Sequence, residues 1–332
     1  MSADHVLPEF WELRFCYDGD VVLKLPLFLF EGIAPSAPAI ERAVETKEVD
    51  DGSLSQARVT KIMNEVSWDC LEPYLVGTTK DTLTEVERLW RSGAPEGEPF
   101  SLSIKRLVPP TRIYRYVEYH EERIRVLLQD NKLFLPCPAM FNDPFDCGFE
   151  EDIRATFIEC AMGCFSARND SVLMFSHYAD SHRGLCLEFD PLKFKLKDSI
   201  GKEGETDAKI EWDLRPVWYF PQLPPLSHDT EPALCATVKD ALWAYEEEYR
   251  LFIHSNGRLL PYGEFPFVPE ALTGVIFGCK ASDDTVAEVK KLTAERKDFS
   301  RWRAVRTPGR FGLGIEPIRE LKAARCTQLQ DE

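Results

Sequence analysis

Residues 141–190 read FNDPFDCGFEEDIRATFIECAMGCFSARNDSVLMFSHYADSHRGLCLEFD, and the reading of this stretch decides the fold. Asn142-Asp143-Pro144 is turn chemistry, because Asx side chains bond nearby backbone and the residue before a proline is pushed out of the helical region. Residues 153–162 can form a helix that Gly163 breaks, and Cys164-Phe165-Ser166 then opens a buried strand. A polar turn over 168–171 leads into a helix over 172–179, and Gly184 to Phe189 is again a strand. Strands and helices interleaved in this way, without a regular repeat, predict a mixed α+β domain.

Outward from this stretch the pattern continues on both sides. Upstream, residues 112–116 form a strand, residues 119–130 a helix with Ile124, Leu127 and Leu128 on one face, and residues 132–135 a short strand. Downstream lies an irregular, charged and Pro-rich region with a possible strand at 215–220, then Trp243-Ala-Tyr-Glu-Glu-Glu-Tyr-Arg250. Gly274 to Gly278 reads as a core strand, 282–295 as a helix capped by Ser282, and 303–318 as one or two closing strands. The expected architecture over 106–325 is a mixed or antiparallel split sheet with flanking helices.

Residues 1–105 read as a smaller α+β domain, with the boundary inside 93–110. Alternation over 9–30 around Asp18-Gly19 predicts a hairpin, and Pro26 places its second strand at a sheet edge or ends it. Helices are expected over 54–66 and 82–92, the second with a Thr82/Glu85 capping box, before a Gly- and Pro-rich linker at 93–99 and a strand over 100–104. This region holds one histidine, His5, and no catalytic pattern, so an added structural layer or a recognition role are its two readings.

Composition narrows the function classes. With 332 residues, 44% hydrophobic and 29% charged, the chain has globular proportions. A net charge of -16 disfavours non-specific nucleic-acid binding. The most apolar run, from Val21 to Ala34, is interrupted by Lys24, Pro26 and Glu31 and is too short to span a bilayer. The 10 cysteines form no C-x-x-C pair, which suits buried reduced thiols, no bound metal, and a cytoplasmic location without a leader.

Tyr114-Arg-Tyr116, Phe141-Asn-Asp-Pro-Phe145, Leu173-Met-Phe-Ser-His-Tyr-Ala179 with Gly184 and Phe189-Asp190, Trp243 to Arg250, and Val275-Ile-Phe-Gly278 together resemble the family called domain of unknown function 2971. The resemblance covers about 112–318 and leaves the first hundred residues aside. Phe175 stands where that family usually has Trp, and Arg115 where many relatives have His. The segment between Asp146 and Cys164 is shorter than usual, which would alter substrate choice if it removes a lid.

The order of parts is also similar to the ADP-ribosyltransferase superfamily, whose signature is a His or Arg on the first strand, a Tyr or Ser after the second and a late Glu. That resemblance implies an NAD-consuming enzyme, with NAD as substrate and an unknown macromolecular acceptor or water, in a toxin or phage-defence setting. Glu248 or Glu246 would be the catalytic carboxylate beside an oxocarbenium-like ribose. Arg115, beside Tyr116, would hold the adenosine side, Ser166 the dinucleotide, and Phe175 or Tyr178 would wall the nicotinamide.

Each assignment has a structural competitor. Glu246 to Glu248 are equally a solvated helix face with Glu246 paired to Arg250, or a strand that puts Glu246, Glu248 and Arg250 on one face. Arg115 is equally the outward residue of a half-buried strand; His177 a cap or a member of a buried network; Arg183 a turn residue. Two other function classes stay open: a metal-dependent nuclease using Asn142, Asp143, Asp146, His177 and Glu248, and a non-enzymatic defence or interaction module.

Overall fold

A computed structural model describes residues 10–17, 20–26, 80–91, 100–107, 110–147, 155, 158–194, 210–223, 236–255 and 258–318. In chain order the elements are β1 (Phe10–Tyr17), β2 (Asp20–Pro26), α1 (Lys80–Arg91), β3 (Phe100–Leu107), β4 (Ile113–Val117), α2 (Glu121–Gln129) and β5 (Lys132–Leu135). There follow β6 (Met162–Ser166), α3 (Val172–Tyr178), β7 (Leu185–Phe189), β8 (Ile210–Pro216), β9 (Trp218–Phe220) and β10 (Val238–Asp240). A 3-10 turn (Ala241–Glu246) leads into β11 (Glu248–Ser255), and β12 (Arg258–Leu259), β13 (Gly263–Pro266), β14 (Leu272–Phe277), α4 (Asp283–Leu292), β15 (Ser300–Arg306) and β16 (Leu313–Pro317) complete the chain. The class is α+β, with mostly antiparallel strand pairs and few helices.

The described residues fall into two compact units that alternate along the chain. One is drawn from Met1–Thr111, Leu133–Ala167 and Lys195–Phe267, the other from Arg112–Lys132, Arg168–Phe194 and Val268–Glu332.

In the first unit, β1 lies between β2 and β3, antiparallel to both. The hairpin around 18–19 closes with Tyr17 opposite Asp20, and Pro26 ends the edge strand β2, where a missing N–H costs the ladder least. Helix α1 begins at Lys80, so Thr82 lies inside it and is not its cap. The helix expected over 54–66 and the linker at 93–99 lie outside the described residues.

Also in this unit, strand β11 pairs antiparallel with β6, β8 and β12. Gly163, expected to break a helix, lies inside β6, where a Cβ would stand 2.8 Å from Leu135 Cδ2. It is there to admit the leucine, not to end an element. The possible strand at 215–220 resolves into β8 and β9, and β9 pairs in parallel with β10, Lys239 facing Tyr219.

The strands of the second unit are ordered β4, β7, β14, β15 and β16, antiparallel except for the parallel pair β14 and β15. Helix α3 starts at Ser171, whose hydroxyl accepts from Met174 N, and α4 starts at Ser282, whose hydroxyl accepts from Thr285 N. Ile124, Leu127 and Leu128 are buried on α2, as their spacing predicts. Arg296 donates to Leu128 O and Arg301 to Thr293 O, so two arginines satisfy carbonyls at the ends of α2 and α4.

Candidate functional site

The first unit encloses a cluster of charged side chains. The residue that organises it is Lys239, which follows the small apolar run Ala236-Thr237-Val238 and is drawn inside by the β9–β10 pairing. Its ammonium donates to Glu246 Oε2 at 2.5 Å and to Glu248 Oε2 at 3.1 Å, and stands 3.5 Å from Asp146 Oδ2. Arg250, on the same face of β11 as Glu248, donates from Nε to Glu248 Oε1 at 2.9 Å and from Nη2 to Asp146 Oδ2 at 2.7 Å. Its Nη1 reaches Ala236 O at 2.5 Å and Cys147 Sγ at 3.4 Å.

Three carboxylates thus face two cations inside the fold. Burial on its own would push the Glu248 carboxyl up; the Arg250 guanidinium and the Lys239 ammonium outweigh it and hold the group down at about 2. Burial opposes the charge on Lys239 and on Arg250 too, and the surrounding carboxylates reverse that, raising both groups above their ordinary values. Burial likewise drives the Cys147 and Cys164 thiols up, which favours their protonated forms. Trp243 lies 4.9 Å below the Lys239 ammonium and Phe141 5.6 Å from the Arg250 guanidinium, capping the two cations with aromatic rings.

The expected site residues divide between the two units. Ser166, Glu246, Glu248, Arg250, Asn142 and Asp143 belong to the first; Arg115, Tyr116, Phe175, His177, Tyr178 and Arg183 belong to the second. Within the first unit, Glu248 is the register partner of Ser166 on adjacent antiparallel strands. The segment around Glu246 is neither of the two forms expected. Residues 241–246 make a 3-10 turn, Glu247 takes a left-handed φ of 44°, and the strand starts at Glu248. The helical pair Glu246–Arg250 is therefore not made, and Glu246 turns back to Lys239 instead.

Several candidates are engaged elsewhere. Ser166 is buried and its hydroxyl donates to Glu246 O at 2.6 Å. Asp143 accepts from Phe145 N at 2.9 Å, the turn bond its sequence position predicts. Phe175 is fully buried, edge-on to Tyr116 and stacked on His182, so it is a core residue of its unit and not an open wall. Tyr116 is buried and donates to Arg168 O at 2.8 Å. His177 is exposed, edge-on to Tyr178, and so does not join a buried network. Arg183 is an exposed turn residue 3.6 Å from Asp180. Arg115 is half-buried on β4, opposite Leu187.

For the metal-nuclease reading, Asp146 and Glu248 face Lys239 and Arg250, and among the described residues no group of three His, Cys, Asp or Glu is placed to hold a metal ion. No helix of the described residues is long and apolar enough to cross a membrane.

Sequence reasoning missed Lys239. Its single local signal is a lone lysine within Ala236-Thr237-Val238-Lys239, and its role follows from a strand pairing that local pattern does not specify. Comparison with family models, curated proteins and solved structures finds no match for this chain.

Proposed function

We propose that this chain is an NAD-consuming enzyme of the ADP-ribosyltransferase kind, with Glu248 as its carboxylate. The observation that supports it is the register pairing of Glu248 with Ser166, together with the ionised state imposed on Glu248 by Arg250 and Lys239. In the reaction the bond from nicotinamide nitrogen to ribose C1 breaks with its electron pair going to nicotinamide. An acceptor oxygen or nitrogen bonds C1 and releases a proton. An ionised carboxylate stabilises the oxocarbenium-like centre between these events. The family likeness to domain of unknown function 2971 and the defence or toxin setting belong to the same proposal.

The burial of Glu248, 4% exposed with both oxygens accepting from cations, sets a condition on this reading. A ribose hydroxyl has to compete with those cations for the carboxylate oxygens. The test is incubation of the full chain with adenylate-labelled NAD, with and without cell extract. Nicotinamide release accompanied by label on a macromolecule, or by free ADP-ribose, is the expected result. Neither product in either condition removes the reading.

One observation favours a second reading, a non-enzymatic interaction module. Asp146 and Glu246, both held at Lys239, anchor the two segments that present Phe145, 81% exposed, and Leu242, 82% exposed. Apolar side chains on rigidly anchored turns suit protein recognition. In that reading Lys239 is a scaffold, and Glu248→Gln leaves every cellular effect in place as long as the chain folds.

A further inference from the structure

Two residues that each bond one loop of the second unit, His182 and Arg303, also carry a buried side-chain atom without a hydrogen-bond partner, Nδ1 and Nε respectively. The loop runs from Gly278 to Ala281 after β14. Lys280 N donates to His182 O at 3.0 Å, and the next residue, Ala281, accepts at its carbonyl from Arg303 Nη2 at 2.5 Å. Gly278 lets the two segments approach, since a Cβ there would stand 2.1 Å from His182 O. A buried polar atom left unpaired costs about 1–3 kcal/mol, so two beside one loop call for a common explanation.

Backbone strain gathers at the same place. Asp180, Ser181 and His182 have φ of 43°, 50° and 73°, three consecutive non-glycine residues in the left-handed region. Such strain persists where packing over-determines it, and it concentrates at ligand clamps. The turn's amides are already committed: Ser181 N, His182 N, Arg183 N and Gly184 N all donate to carbonyls of residues 175–180. Side chains, therefore, are the groups with capacity to spare.

The charges favour an anion. Lys280 is exposed on the loop, and the described partner of the Arg303 guanidinium is a carbonyl. Glu316 is opposite Arg303 on β16, yet the guanidinium turns to Ala281. The other acidic groups nearby in sequence, Asp180, Asp283 and Asp284, are exposed, and Asp180 already faces Arg183. A guanidinium N–H, an imidazole nitrogen and a loop ammonium form a donor set suited to tetrahedral oxyanions.

We propose that His182, Lys280 and Arg303 form a binding site for a phosphate group, free or as a monoester. The site lies within the second unit and does not depend on NAD chemistry at Glu248. The test is titration of the full chain with inorganic phosphate and, separately, with phenyl phosphate, following the imidazole resonances of labelled histidine by NMR.

A saturable shift of His182 is expected, with binding about tenfold weaker in Arg303→Met, the loss expected for one charge-assisted hydrogen bond. Lys280→Ala, at an exposed position, gives a second measure and weakens binding several-fold even if Arg303→Met fails to fold. Saturation by inorganic phosphate identifies the free anion as sufficient, and saturation by phenyl phosphate alone identifies a monoester. No saturable shift with either probe, or equal affinity in wild type and Lys280→Ala, overturns the proposal. Neither of those results bears on nicotinamide release.

Discussion

Lys239 and Glu248 meet through a hydrogen bond of 3.1 Å between an ammonium and a carboxylate, both buried, with Glu246 on the same ammonium at 2.5 Å. Their contact joins β10 to the start of β11 and makes a cation the keystone of an acidic cluster. In an environment with so little water, removing one partner leaves the others uncompensated.

Lys239→Met therefore destabilises the chain by about 3–5 kcal/mol, the range for breaking a buried ion pair from one side. Lys239→Arg, which keeps the charge, loses less. Urea denaturation of the two variants beside wild type measures the difference; equal midpoints for Lys239→Met and wild type would remove Lys239 from its structural role.

The pH dependence follows from the same contacts. Glu248 has its carboxyl depressed to about 2 in the folded chain, so its contribution is complete above the ordinary carboxylate range and is lost as pH falls toward 2. A shift of that size corresponds to roughly 3 kcal/mol. Lys239 is shifted upward, so its contribution is complete below the ordinary lysine value and falls away only at still higher pH. Thermal melts across pH are expected to show an acid arm that flattens in Glu248→Gln. An acid arm of unchanged slope in that variant contradicts the assignment.

Much of the fold is legible in the sequence where local rules decide. The hairpin around residues 18–19, the Ser171 and Ser282 caps and the apolar stripe of α2 follow from turn chemistry, capping and periodicity. Gly163 misleads because its missing side chain serves a distant leucine, Leu135, and not its own segment. Thr82 misleads because a capping-box spacing does not fix where a helix begins. At the site, the alternation of Glu248 and Arg250 is visible once the segment is read as a strand. Lys239 is not visible, because its burial arises from pairing with β9, nineteen or more residues upstream across a region without local pattern.

Gly184 and Gly278 illustrate positions at which any side chain is excluded. A Cβ would stand 2.3 Å from Val117 O at Gly184 and 2.1 Å from His182 O at Gly278, both backbone atoms. Either alanine substitution is expected to cost about 1–3 kcal/mol or more through forced backbone shifts. Circular dichroism melts test this, and a melting temperature equal to wild type for both variants contradicts the close approach.

Ser171→Ala removes the hydroxyl that accepts from Met174 N and is expected to cost about 1 kcal/mol. Because α3 carries Phe175 into the core beside Tyr116, loss of the cap should also raise amide exchange along 172–178. Hydrogen exchange measured by mass spectrometry checks it, with unchanged protection as the opposing result.

The most direct test of the central claim is the rate of nicotinamide release from NAD by wild type and by Glu248→Gln, each first shown to be folded by its thermal melt. The account predicts release by wild type and a loss of at least about a hundredfold in the folded variant, as for removal of a group that stabilises charge in the transition state. No release by wild type, or equal release by a folded Glu248→Gln chain, contradicts it.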